Sequence, residues 1–221
     1  MIIDLGLIDY EEAYGIQKET VARRKLGETD DVLIIAEHYP VFTIGRSGSR
    51  INLLADEKDL DGMGIKVLSV DRGGDITFHG PGQLVAYPII DLGRGHRDLH
   101  MYMRHLEEAA IVFFNAYSVP AVRVAGRTGA WVSGRKVASI GVGASGWVTY
   151  HGLSINLNVD LAFFSMINPC GFKDSQAGSL DRIIGRAVDT EEAKSIFIDS
   201  FNRVFDFADI RCRGSRQAAL A

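Results

Sequence analysis

Two segments of the chain repeat apolar residues with a helical period. In residues 96–117, Leu99, Met103, Leu106, Ala110 and Phe113 recur every three or four positions, which puts them on one buried helix face. In residues 189–208, Ala193, Phe197, Phe201, Val204 and Ala208 do the same. A third helix is predicted over 9–28: Asp9 can cap it, Glu12 sits at the capping-box spacing, and Ala13, Ile16, Thr20 and Val21 form a modest stripe. Shorter apolar runs bounded by turn residues read as strands at 32–36, 41–44, 66–70 and 83–90. Residues 121–158 are strand-like and punctuated by glycine, with strands at 122–124, 130–133, 136–140 and from 147 onward. Clustered strands flanked by separate helices predict an α+β fold of mixed β-sheets rather than a regular βαβ alternation. No repeat, low-complexity linker or composition break divides the chain. One domain over 1–210 is expected, with 211–221 as a mobile tail.

Composition narrows the class. Of 221 residues, 47% are hydrophobic and 24% charged, a globular mix with no room for a large disordered fraction. A net charge of −4 gives nucleic acid no attraction, although scattered arginines could form a local basic patch for an acidic protein partner. Two cysteines, Cys170 and Cys212, make no disulfide framework and point to a reducing compartment. The first residues lack a basic n-region and meet Asp4 early, so no signal peptide is expected. No apolar run nears the ~20 residues of a membrane span. The expected location is the cytoplasm, with no membrane partner.

The chemistry concentrates in a few places. Arg72-Gly-Gly-Asp-Ile-Thr-Phe-His79-Gly-Pro-Gly-Gln83 opens with a glycine pair and closes with another glycine cluster, the form of a backbone wrapped closely around a ligand. Gly141-Val-Gly-Ala-Ser-Gly146 spells the dinucleotide fingerprint, but strand-like residues follow where a helix is needed, so a glycine-rich hairpin is predicted instead. His96, His100 and His105 lack metal-ligand spacing and read as a solvated helix face; no metal is expected. Cys170 lies between Pro169 and Gly171 with Phe163, Phe164, Met166, Ile167 and Phe172 around it. It reads either as a buried small hydrophobe or as a presented thiol. An ordinary thiol, with pKa ~8.5, is only slightly ionised at neutral pH, so a nucleophile there needs a cation or a base. Lys136, at the start of an apolar strand, His79 and His151 are the three candidates for that role; Cys212, in the tail, is a lesser thiol. A binding loop with a presented thiol points to acyl transfer.

Four blocks carry a family resemblance: residues 72–92, Gly134-Arg-Lys-Val-Ala-Ser-Ile-Gly141, His151-Gly-Leu-Ser-Ile-Asn-Leu-Asn158 and Ile167-Asn-Pro-Cys-Gly171. In order and in wording they resemble the lipoyl(octanoyl) transferases. That resemblance implies a fold like the catalytic domain of biotin and lipoate protein ligases. It implies transfer of an octanoyl group from acyl carrier protein to a lysine of lipoyl domains, those of 2-oxoacid dehydrogenases and of the glycine cleavage H protein, with no cofactor. Cys170 is then the nucleophile that carries the acyl thioester, and Lys136 lowers its pKa. Substrate contacts fall on Arg72, Gly73, Gly74, Asp75, Ile76, Thr77, Phe78 and His79, on Ser139, Ile140 and Gly141, and on Gly152, Leu153 and Ser154. Two residues depart from the family pattern: Asp75, where an uncharged glutamine is common, and Ser154, where a small apolar residue is common. An ATP-dependent ligase, a non-catalytic binding module and a cysteine hydrolase are the alternatives.

Overall fold

The computed structural model describes residues 1–95, 97–168 and 176–205. Strand β1 (Ile2–Ile8), helix α1 (Tyr10–Leu26) and strand β2 (Val32–His38) form one βαβ unit whose strands pair in parallel. The Asp9 carboxylate caps α1 by accepting the Glu11 N–H at 2.8 Å, and Gly27 ends the helix in the left-handed region at φ 76°. Next comes a small sheet: β3 (Val41–Ile44) pairs in parallel with β4 (Lys66–Ser69) and antiparallel with β5 (Ile76–His79). Helix α2 (Glu57–Gly62) packs Leu60 into its core with Phe42, Phe78 and Ile167.

The remaining strands are β6 (Gln83–Ile89), β7 (Val122–Val124), β8 (Arg127–Val132), β9 (Arg135–Ser145) and β10 (Val148–Asn156). They complete a seven-stranded sheet in the order β1-β2-β6-β10-β9-β8-β7, antiparallel except at β1/β2. Helices α3 (Leu99–Ala116), α4 (Leu180–Ile184) and α5 (Thr190–Phe205) cover one face, where Leu33, Ile35, Leu84 and Ala86 meet Leu106, Phe113 and Phe197. Helix α1 covers the other, where Val32, Ile34, Val85 and Tyr87 meet Ala13 and Val21. Alternate residues of β2 and β6 therefore enter two different cores, which is why both strands read as unbroken apolar runs.

The mixed-sheet α+β architecture is the expected one, and α1, α3 and α5 fall on the predicted helices. Strands β1 and β5 were not predicted. The glycine run 141–146 continues β9 to Ser145; Gly146 (φ 58°) and Trp147 (φ 69°) then form a two-residue turn that sets Ser145 opposite Val148. Two successive positive φ values mark the hairpin turn whose twist matches that of the strands, so the hairpin reading of this run holds. Cys170, His96, Ala208, Cys212 and the tail 211–221 lie outside the described residues.

Candidate active site

The two sheets meet around a cavity of about 320 Å³. Two runs that are separate in sequence are direct cross-strand partners in its floor: Ser139 faces Ser154, Ile140 faces Leu153, and Gly141 faces Gly152. The loop 72–75 lies directly on this ladder, with the Gly73 N–H donating to the Val142 carbonyl at 2.8 Å. A side chain at position 141 would put its Cβ 2.8 Å from the Gly73 oxygen and 3.0 Å from Arg72 Cδ, so only glycine admits the loop. Gly152 is equally closed, by the Ala86 carbonyl and Pro88. Arg72 is a buried strut for the same loop. Its Nη2 donates to the Thr43 carbonyl at 2.7 Å and to Thr43 Oγ1 at 2.9 Å, and Nη1 donates to the Gly73 carbonyl at 3.0 Å.

Arg72, Gly73, Gly74, Asp75, Ile76, Thr77, His79, Ser139, Ile140, Gly141, Gly152, Leu153 and Ser154 all border the cavity. Phe78 does not. The two-residue alternation of β5 turns it away from Thr77 and His79 into the small-sheet core, with ring centroids 5.2 Å from Phe42 and 4.4 Å from Phe163. Asp75 uses both oxygens within the protein: Oδ1 accepts the Ile76 N–H at 2.7 Å, and Oδ2 accepts the side-chain amide of Asn52, Nδ2, at 2.6 Å.

Lys136 borders the cavity with its Nζ 5.7 Å from the centroid of the Trp131 ring, within cation–π reach. Its N–H donates to the Gln176 carbonyl at 3.0 Å and its carbonyl accepts from the Gly178 N–H at 2.9 Å, so residues 176–178 run beside it as a parallel bridge. Ile167 and Ala177, on the described chain either side of the segment containing Cys170, both border the cavity.

Two buried histidines also face it. His151 sits in β10 with φ 55°, a left-handed conformation costly for a residue with a side chain. Its N–H donates to Gln17 Oε1 at 2.8 Å, its Nε2 lies 2.9 Å from Asp71 Oδ1, and its Nδ1 lies 3.5 Å from the Tyr10 hydroxyl. Asp71 also accepts from the hydroxyls of Tyr14 at 2.7 Å and Tyr150 at 2.8 Å. Burial pushes the Asp71 carboxyl up, but the hydrogen bonds from Tyr14, His151 and Tyr150 outweigh it and hold its pKa well below the usual carboxylate range. The His151 pKa is lowered to about 4, because burial outweighs the pull of Asp71. The His151–Asp71 contact is therefore a hydrogen bond from a neutral ring rather than an ion pair at neutral pH. That leaves the proton on Nε2 and lets Nδ1 accept from Tyr10. His79 is lowered further, to about 3, by burial and then by the nearby His38.

A model of the lipoyl protein ligase A/B catalytic domain matches residues 9–202. The chain belongs to this family. It is 50% identical over 188 residues to an octanoyltransferase of Geobacter metallireducens, with 85% of each chain covered. To an octanoyltransferase of Geobacter sulfurreducens it is 45% identical over 194 residues, covering 88% of this chain and 80% of the relative. A solved lipoate-protein ligase A bound with ATP superposes with a TM-score of 0.74 at 14% identity, over 93% of this chain and 85% of that one. A biotin protein ligase from Aquifex aeolicus gives 0.50 at 13% identity, over 93% and 68%. At such identities the likeness speaks for the fold, which is the ligase-like fold expected from sequence.

Within this family member, the three sequence candidates for activating a thiol separate. All three border the cavity, but both ring nitrogens of His151 face protein groups, Asp71 and Tyr10. Of the helix histidines, His100 is exposed and His105 packs edge-on against Phe205 with centroids 5.5 Å apart. Among the described residues no three His, Cys, Asp or Glu side chains converge as for a metal, and no helix is long and apolar enough to cross a membrane. Sequence reasoning missed Tyr10, Asp71, Gln83, Tyr87 and Asn156. Asp71 adjoins the Arg72 motif, but its partners come from 53–80 positions away, and no local pattern announces them.

Proposed function

We propose that the chain is an octanoyltransferase that moves an eight-carbon acyl group from the thioester of an acyl carrier protein to a lysine of a lipoyl domain. Acceptors in this reading are the lipoyl domains of 2-oxoacid dehydrogenases and the glycine cleavage H protein, in the cytoplasm, with residues 1–210 as the catalytic domain. The observation that carries it is the convergence of the 72–79, 139–141 and 152–154 runs on one cavity that Lys136 also borders. The relatives at 45–50% identity bear the name octanoyltransferase, whereas the superposed ligases stand at 13–14%.

In the proposed reaction the Cys170 thiolate attacks the thioester carbonyl. The carbon–sulfur bond to the carrier breaks, and the carrier sulfur leaves with the proton given up by the Lys136 ammonium. The glycine-rich walls let backbone N–H groups approach the oxyanion. Once Cys170 is acylated its negative charge is gone, so Lys136 loses the partner that favoured its protonated form and can take a proton from the incoming amine. The amine displaces the Cys170 sulfur and an amide forms. Thioester to amide is downhill, so the transfer requires no nucleotide. Met103, Trp131, Ile140 and Leu153 give the cavity apolar walls. Burying an eight-carbon chain there contributes about 5 kcal/mol at ~0.8 kcal/mol per methylene. The same walls exclude the water that would hydrolyse the thioester.

Incubation with octanoyl-carrier and no ATP should add one octanoyl mass to Cys170, and the adduct should pass to a lipoyl domain. Cys170→Ala should abolish both. Lys136→Met should raise the thiol pKa in an alkylation rate–pH profile. Wild-type protein that forms no adduct, or that requires ATP, overturns the reading.

A further inference from the structure

A chain of buried amides runs from the backbone beside Lys136 to His79. It starts at the Gly178 carbonyl, which can only accept, and whose own N–H is bound to the Lys136 carbonyl. Asn156 Nδ2 donates to that carbonyl at 2.8 Å, so the Asn156 oxygen must point the other way. There it accepts Gln83 Nε2 at 2.9 Å, and the same Nε2 lies 3.3 Å from the Phe78 carbonyl, a second acceptor. The Gln83 oxygen is thereby turned to His79 Nδ1, 2.7 Å away. Flipping either amide would set oxygen against oxygen, so the order of donors along the chain has one solution. The proton of His79 sits on Nδ1. Gln83 and Asn156 are 1% and 4% exposed, so water cannot substitute for a lost partner. His79 stacks on Tyr10 with centroids 5.7 Å apart and borders the cavity, and its Nε2 has no hydrogen-bond partner among the described residues.

We infer that Gln83 and Asn156 are positioning residues that lock His79 as the Nδ1-protonated neutral ring, so that its Nε2 lone pair accepts a hydrogen bond from the N–H of the incoming amine. The burial that keeps the ring neutral also makes it a poor carrier of protons, so it orients the amine rather than deprotonating it. An amine whose N–H is held this way has its own lone pair free to face the acyl carbon. This role rests on the function proposed above; the tautomer does not.

The full chain labelled with nitrogen-15 histidine gives a direct test. A long-range proton–nitrogen correlation should show His79 with a protonated Nδ1 and an unprotonated Nε2. Gln83→Met, which keeps volume but removes the acceptor, should release the ring to the other tautomer or to a mixture. It should slow transfer from preformed acyl-enzyme to a lipoyl domain about tenfold, the size of one lost hydrogen bond, while acylation of Cys170 is unchanged. His79→Phe, which keeps a stacking ring without Nε2, should show the same split between half-reactions and stands in if Gln83→Met does not fold. A wild-type His79 protonated on Nε2 overturns the lock. Variants that slow both half-reactions equally, or neither, overturn the assigned role. Wild-type protein that forms no acyl-enzyme would instead sink the proposed function, and the tautomer would still be read.

Discussion

His151 and His79 border the same cavity, are both buried and are both kept neutral, yet they are wired in opposite senses. His151 donates from Nε2 to a carboxylate, and its other nitrogen faces Tyr10, so nothing of its polarity is left for a ligand. His79 is held from behind by a neutral amide chain ending on a backbone carbonyl, which leaves its outer nitrogen as an acceptor. The first is a clasp between α1 and β10. The second is a presented group. Residue type and burial do not separate these roles; the direction of each hydrogen bond does.

The strongest challenge to that comparison is acid. Each ring has a folded pKa below the ~6.5 of an unfolded histidine, so the unfolded chain takes up protons that the fold refuses. Stability should therefore fall as pH drops from about 6.5 toward 4 for His151 and onward toward 3 for His79. His151 alone should account for on the order of 3 kcal/mol. Asp71, whose folded pKa is depressed, adds a further loss only below the ~3.9 of an unfolded aspartate. Urea midpoints that stay level between pH 7 and pH 4 would mean that neither ring is held neutral. A smaller effect is expected from Asp71→Ala, which strips the acceptor from Tyr14, Tyr150 and His151. Because the carboxylate side chain is 32% exposed and water can partly replace it, a loss of about 2 kcal/mol in urea unfolding is expected. A loss below about 0.5 kcal/mol would show that His151 needs no clasp. Tyr10→Phe is the mildest change. The contact it removes spans 3.5 Å, so about 0.5 kcal/mol of stability should go, and a loss above about 2 kcal/mol would make this long contact the principal support of His151.

Much of the molecule was legible in the chain, and the misses share a cause. Helices α3 and α5 declare themselves because each buries one stripe against one sheet face. The β9–β10 hairpin is legible because its glycine run is followed by alternating residues. Strand β1 is not. Asp4 and Gly6 interrupt it, its pairing with β2 shifts between Asp4 and Leu7, and its parallel partner lies beyond a whole helix. Strand β5 is hidden inside the glycine-rich motif, where a binding loop was the simpler reading. Phe78 falls among the expected substrate contacts because the resemblance carries the 72–79 run as a block, and the alternation of β5 is what turns it into the small-sheet core. The cavity residues that form motifs were found from sequence. Asp71 lies outside the family motifs, and although Gln83 and Asn156 lie inside them, the hydrogen bonds that give these three their roles join residues up to 80 positions apart that meet only in the fold.

The facing of 139–141 with 152–154 has a consequence for change by insertion or deletion. Losing one residue from either strand would not remove one contact: it would slip that strand by one position, break the pairing of Ser139 with Ser154 and of Gly141 with Gly152, and turn the shifted strand's small residues to the opposite face. The two strands can lengthen or shorten only together, and only at the Gly146–Trp147 tip, where the count of residues on each side stays matched.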